Sequence, residues 1–168
     1  MMKKSLLSAA AAIAIAAPAI IAQAVITKVD RIAPTDQVYM DMATEAAKAA
    51  KKAGEKADGA VVILNNAFHS SGKPSGNTSA AQDAIGKARV TSLENAKIYT
   101  VNEPTTEAIN AMSRRKAQAV YFVNSREDVV KAGIYPAEAY DDSKIDTTVT
   151  QVPMHQMAYD AASKLIEE

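Results

Sequence analysis

"VNEPTTEAINAMSRRKAQAVYFVNSREDVVKAGI" runs from Val101 to Ile134, and its changes of period set the fold class. "AVYFVN" (Ala119 to Asn124) is a short run dense in β-branched and aromatic residues, which reads as a buried strand. Before it, Ala108, Ile109 and Met112 share one face of a helix expected over Pro104 to Lys116, with proline at its first position. After it, Ser125 can cap a helix running through Ala132, and Gly133 closes that helix. "AKIYTV" (Ala96 to Val101) supplies a strand on the upstream side. Strand, helix, strand and helix in such close succession argue for parallel strands joined by crossover helices.

The same alternation extends outward. "GAVVIL" (Gly59 to Leu64) reads as a buried strand, Asn65-Asn66 as a turn, and "AFHSSG" (Ala67 to Gly72) as the returning strand of a hairpin. Asp36 to Ala53 carries Tyr39, Ala43, Ala46 and Ala50 on one stripe, with Thr35 or Asp36 as its cap. Ser79 to Arg89 is an alanine-rich helix with Ala81, Ile85 and Ala88 facing inward. Tyr135 to Asp146 is irregular, and Pro153 to Glu168 reads as a last helix. The expected architecture is a three-layer α/β domain, one mixed sheet of about five strands with helices on both faces.

The first residues stand apart. "MMKKSLLSAAAAIAIAAPAIIAQA" opens on Lys3 and Lys4, continues through an apolar run and closes on Ala22-Gln23-Ala24. That is the pattern of a secretory signal peptide, so residues 1–24 are expected to be removed and residues 25–168 to form the domain. The apolar run is interrupted by Pro18 and falls short of the ~20 residues a membrane span needs, so no stable span is expected after cleavage. An exported location, periplasmic or secreted, follows as an expectation.

The whole chain is electrically balanced, and loss of Lys3 and Lys4 leaves 17 basic against 19 acidic side chains. Such a surface gives no reason to expect a nucleic-acid partner or an anionic membrane. There is no cysteine in the chain. That excludes disulfides, thiol nucleophiles and thiolate metal sites, and it suits an oxidising compartment.

In order and in residues, the chain resembles the cytidine/deoxycytidylate deaminase superfamily, in its guanine deaminase and tRNA adenosine deaminase branch. The resemblance rests on "GAVVI" (Gly59 to Ile63), "SAAQDAI" (Ser79 to Ile85), "YTVNEPTTEAINAM" (Tyr99 to Met112), "AVYFVNSREDVVKAGI" (Ala119 to Ile134) and the final "VPMHQMAYDAASKLIEE". Asn124 to Asp128 is its most specific part. The family carries H-A-E at the head of one helix and P-C-x-x-C at the head of the next. The resemblance puts its zinc-binding histidine on Ser79, its proton-shuttling glutamate on Ala81, and its two zinc-binding cysteines on Thr105 and Ala108. Its substrate-holding asparagine falls near Pro74.

Those departures bear directly on chemistry. Zinc needs about three His, Cys or carboxylate ligands, and the deaminase reaction needs a glutamate to carry protons. Ser79 and Thr105 offer neutral hydroxyls, and Ala81 and Ala108 offer methyl groups. Deamination by the family route is therefore expected to be lost, with no catalytic residue and no zinc cofactor. The alternative is an active deaminase or hydrolase with a non-standard site. It would need His69, His155, Glu103 or Glu107 to rebuild a metal centre, or Ser79 to act as nucleophile. No shared-metal spacing links these residues, and G-x-S-x-G is absent. Ser79 and Thr105 are read instead as helix caps, and Arg126, Glu127 and Asp128 as a helix start with local ion pairs.

The resemblance further implies two helix N-termini pointing into one pocket. Their N–H groups, with Ser79, Glu103, Thr105 and Thr106, could hold a small polar or nucleobase-like ligand. A pocket collapsed around Ala81 and Ala108 is the other reading, and both stay open here. Because family members commonly pair through helix faces near the site, a homodimer is expected. The function expected is binding or assembly by an inactive deaminase relative.

Overall fold

The computed structural model describes residues 33–145, 149–154 and 160–167. The expected signal peptide and His155 lie outside the described residues. The elements are α1 (Pro34–Lys52), β1 (Ala60–Leu64), β2 (Ala67–Gly72), α2 (Ala80–Lys87), β3 (Ala96–Asn102), α3 (Thr106–Arg114), β4 (Ala119–Asn124), α4 (Arg126–Lys131), β5 (Thr150–Pro153) and α5 (Asp160–Glu167). Short 3₁₀ turns at Ala137–Ala139 and Asp142–Lys144 join α4 to β5.

The five strands form one sheet in the order β2-β1-β3-β4-β5. β1 is antiparallel to both β2 and β3, whereas β3, β4 and β5 run parallel. The sheet is mixed because β1 and β2 share a two-residue turn. Asn65 and Asn66 both have positive φ, 51° and 63°, the left-handed pair that a tight hairpin requires and that asparagine tolerates. The later strands are separated by helices long enough to cross over and return in parallel.

Side-chain alternation divides the interior into two apolar layers. Ala60, Val62, Ala96, Ile98 and Val120 face α2 and α3, packing on Ala84, Ile85, Ile109 and Met112. Val61, Ile63, Tyr99, Val101 and Val123 face the other way, onto Met40, Ala43 and Ala47 of α1 and Ala162 of α5. Each Ile or Met buried here contributes on the order of 2 kcal/mol.

The helices lie close to the sheet because they are rich in alanine and because two glycines permit contact. A Cβ on Gly59 would sit 2.2 Å from the Ala43 carbonyl oxygen, and one on Gly72 would sit 2.1 Å from that of Ala80. Both are backbone atoms and cannot turn aside.

The sequence reading misplaced three boundaries. α1 begins at Pro34, with Ala33 as a cap that makes no side-chain bond. Asp36 instead accepts a hydrogen bond from the Tyr99 hydroxyl at 2.5 Å, anchoring α1 on a ring stacked against Tyr121 at 4.8 Å. Pro104 precedes the cap of α3 and is not its first residue. Pro153 ends β5 and does not begin the last helix, which is described over Asp160–Glu167. At Asp36 and Pro153 a tertiary contact took the residue, the Tyr99 hydroxyl in one case and pairing with β4 in the other.

Candidate functional site

The heads of α2 and α3 lie on the same face of the sheet, and their first turns are tied together. Gln82 Nε2 donates to Glu107 Oε2 at 3.2 Å. Ser79 is the cap of α2: its hydroxyl accepts from the Gln82 N–H, and the Gln82 side chain accepts from the Ser79 N–H. This reciprocal pair satisfies two of the N–H groups that a helix start leaves free. Thr105 caps α3 in the same way, its hydroxyl accepting from the Ala108 N–H at 3.3 Å.

The four positions that the resemblance matched to zinc and proton-transfer residues are all interior. Ser79 is 2% exposed, Ala81 1%, Thr105 6% and Ala108 0%. Thr106 is committed as well. Its hydroxyl donates to the Asp141 carbonyl at 3.3 Å and accepts from the Asp141 N–H at 2.7 Å. Glu103 is buried and bound to Arg126 twice, through the guanidinium at 2.7 Å and the backbone N–H at 2.9 Å. Arg126 also holds Asp142 and lies over the Tyr140 ring, and the Tyr140 hydroxyl donates to the Glu103 carbonyl. The structure thus brings together Ser79, Thr105, Thr106, Glu103 and Glu107, each with its polar groups engaged by neighbours.

Between the head of α2 and the ends of the strands lies a residue the sequence reading did not single out. Asp58, just before β1, is 1% exposed. Its Oδ2 accepts from the Ala80 N–H at 3.0 Å and from the Tyr135 hydroxyl at 2.7 Å. Its Oδ1 accepts from the Gly59 N–H at 3.0 Å and from Asn102 Nδ2 at 3.1 Å. Burial pushes the carboxyl up to about 6, although all four hydrogen bonds pull the other way. The Tyr135 phenol is held above its usual range, first by burial and then by the Asp58 charge.

The network continues sideways. Asn102 Oδ1 accepts from Asn124 Nδ2 at 2.9 Å, and Asn124 Nδ2 also donates to the Ala162 carbonyl at 3.3 Å. Asn102 and Asn124 are register partners at the ends of β3 and β4. A buried amide ladder therefore runs from the head of α2 across two parallel strands toward α5. The sole sequence cue to Asp58 was an acid directly before a glycine-led strand, which reads locally as an ordinary turn.

Ser79, Thr105, Ala81 and Ala108 do not fit the zinc that the resemblance implies. The two hydroxyls already serve as caps, and methyl groups cannot bind a metal. Among the described residues, no three His, Cys, Asp or Glu side chains are grouped to hold a metal ion. His69 lies elsewhere, at a bulge in β2, where Nε2 meets the Ala88 carbonyl at the tail of α2 at 2.5 Å. A helix of eight residues, about 12 Å long, separates it from Ser79, so it cannot serve that hydroxyl as a base. Pro74, where the family's asparagine was loosely placed, lies in the loop between β2 and α2.

No family model matches this sequence, and no curated protein matches it. Solved structures do. A guanine deaminase from Nitrosomonas europaea superposes with a TM-score of 0.67 at 16% identity, over 82% of this chain and 85% of that one. A protein crystallised with 2,6-diaminopurine gives 0.61 at 17% identity, over 82% of each chain. A tRNA:A34 deaminase, from work on A-to-I editing at the wobble position, gives 0.57 at 19% identity, over 76% of this chain and 98% of that one. At such identities the likeness is one of fold: this chain has the cytidine-deaminase-like fold.

Proposed function

We propose that this chain is an exported, catalytically inactive relative of nucleobase and nucleoside deaminases. It acts by binding a small polar ligand or by assembling as a homodimer. The observation that carries this reading is the occupancy of the α2 head by the chain's own side chains. A helix N-terminus attracts an anion, and here the Asp58 carboxylate accepts the Ala80 N–H at that place. The hydroxyls at Ser79 and Thr105 are spent as caps beside it. Two caps and two methyl groups provide neither a metal-bound hydroxide nor a proton carrier, and the Asp58 carboxyl is enclosed by its four donors. The similarity to a protein that binds 2,6-diaminopurine supports a small polar ligand without fixing where it sits.

Export rests on the first 24 residues as a sequence pattern. Among the described residues, no helix is long and apolar enough to cross a membrane.

Native mass spectrometry of the protein expressed from its full coding sequence, paired with an ammonia-release assay on guanine, adenine and cytosine, tests the proposal. The expected result is a metal-free dimer whose chains begin at Val25, no ammonia release, and a melting temperature that chelator leaves unchanged. Stoichiometric zinc together with ammonia release would overturn it.

A further inference from the structure

β2 is an outer strand of the sheet, and between it and α1 lies an open recess of about 560 Å³. Val38 and Met42 of α1, Val61 of β1 and Phe68 of β2 form its apolar lining. Among the described residues, Val38 and Phe68 are the large apolar side chains that stand exposed, at 56% and 52%, and both line this one recess. Single exposed apolar residues are ordinary, but two converging from different elements mark a surface that is covered in use. The strand beside them gives a second reason for a cover. No described strand pairs with the outer edge of β2, and an open edge invites unwanted pairing unless something lies over it.

The chain carries a matching occupant next to this recess. "VITKVDRI" (Val25 to Ile32) leads into Ala33 and α1, and it has four apolar residues, Val25, Ile26, Val29 and Ile32. Eight extended residues reach about 26 Å, whereas the part of α1 that lines the recess, Val38 to Ala46, is about 12 Å long. The segment is therefore long enough to turn back at the head of α1 and span the recess. Its attachment to α1 keeps it at a local concentration on the order of millimolar, so weak contacts suffice. The charges agree as well. The charged residues of the lining are both acids, Asp41 and Glu45, and the segment carries Lys28 and Arg31 against one acid, Asp30. Glu45 also meets Lys48 at 2.7 Å, which makes Asp41 the stronger attraction. A second copy joined through the same recess would bring another Asp41 and Glu45 to the contact, where like charges repel.

We infer that the recess between α1 and β2 is the docking site of the chain's own residues 25–32. Their apolar side chains cover Val38, Met42 and Phe68, and Lys28 and Arg31 lie toward Asp41 and Glu45. The segment then shields the outer edge of the sheet. This contact requires neither the ligand-binding role proposed above nor the removal of residues 1–24.

Limited trypsin digestion of the protein expressed from its full coding sequence, followed by mass spectrometry, reads the contact directly, because Lys28 and Arg31 are both trypsin sites. A synthetic peptide of residues 22–38 supplies the rate for an uncovered segment. Cleavage after Lys28 and Arg31 is expected to be about tenfold or more slower in the protein than in the peptide, since trypsin must wait for the segment to lift. Val38→Asp and Phe68→Asp, both at exposed positions, should each restore most of the peptide rate while leaving the far-ultraviolet spectrum unchanged. Asp41→Asn combined with Glu45→Gln removes charge without touching the apolar lining. It should speed cleavage a few-fold at low salt and less at high salt. Cleavage of the wild-type protein at the peptide rate overturns the inference, as does protection that survives in all three variants. Protection that disappears on dilution, together with a halving of the mass in solution, would also overturn it and give the recess to a second copy of the chain.

Discussion

Asp58 combines two opposing demands: four donors point at a carboxylate that has no access to water. The donors favour the charged form and burial disfavours it, and burial prevails, raising the acid from 3.8 to about 6. The consequence for stability has a definite sign. The folded chain holds a proton at Asp58 more readily than the unfolded chain does. The Asp58 contribution to stability is therefore fully present below about pH 4 and is lost as pH rises through about 6, on the order of 3 kcal/mol in all. Asp58→Asn cannot titrate and leaves two donors facing an NH₂ group. Denaturant unfolding from pH 4 to 7 should show wild type gaining on Asp58→Asn as pH falls; parallel profiles would remove Asp58 as the source. At this scale the caps were legible in the sequence, since Ser79, Thr105 and Ser125 each bond a residue three positions on. Asp58 was not, because its partners Ala80, Asn102 and Tyr135 lie 22, 44 and 77 positions away, and no local pattern reports such distances.

At the level of elements, α1 and α2 sit against the sheet at distances that only small residues permit. Gly72 and Gly86 make a controlled comparison beside the same helix. A methyl group on Gly72 would meet the Ala80 and Ala84 backbone at 2.1 and 2.3 Å, whereas one on Gly86 would meet nothing within 4 Å. Gly72→Ala should therefore destabilise by on the order of 3 kcal/mol or prevent folding. Gly86→Ala, within α2, should stabilise by about 0.5–1 kcal/mol. Urea midpoints of the two variants check this, and equal effects would mean α2 can move off the sheet at little cost. The hairpin, the four longer strands and the first four helices were readable from period and turn residues. The last helix was expected too, but the fifth strand was not. β5 has four residues, too few to show alternation, and its terminal Pro153 imitates a helix start. Proline is acceptable there because a strand end can forgo its N–H.

Across the molecule, the two apolar layers share a single sheet. Strands β1, β3 and β4 contribute residues to both, so neither layer can lose its packing without exposing the other's strands. Near-ultraviolet circular dichroism of the tyrosines, with Tyr39, Tyr99 and Tyr121 grouped on the α1 face, and far-ultraviolet helix signal should give coincident unfolding curves. Separate midpoints would show that the α2–α3 layer opens on its own. The fold class was legible at this scale because alternation of strand and helix is a property of order, which survives substitution. The state of the site was legible only as a set of missing ligands. The Asp58 carboxylate beside them, just before the sheet's first strand, required the three-dimensional structure.

The Asp58 network also sets the terms on which new chemistry could be built at the head of α2. Placing His, Glu and two Cys at positions 79, 81, 105 and 108 would supply a list of ligands without loosening what already holds that corner. Asp58 would still grip the Ala80 N–H, and Tyr135 and Asn102 would still grip Asp58. Any redesign there gives up a well-bonded interior first, so the corner behaves as a lock on the helix it starts.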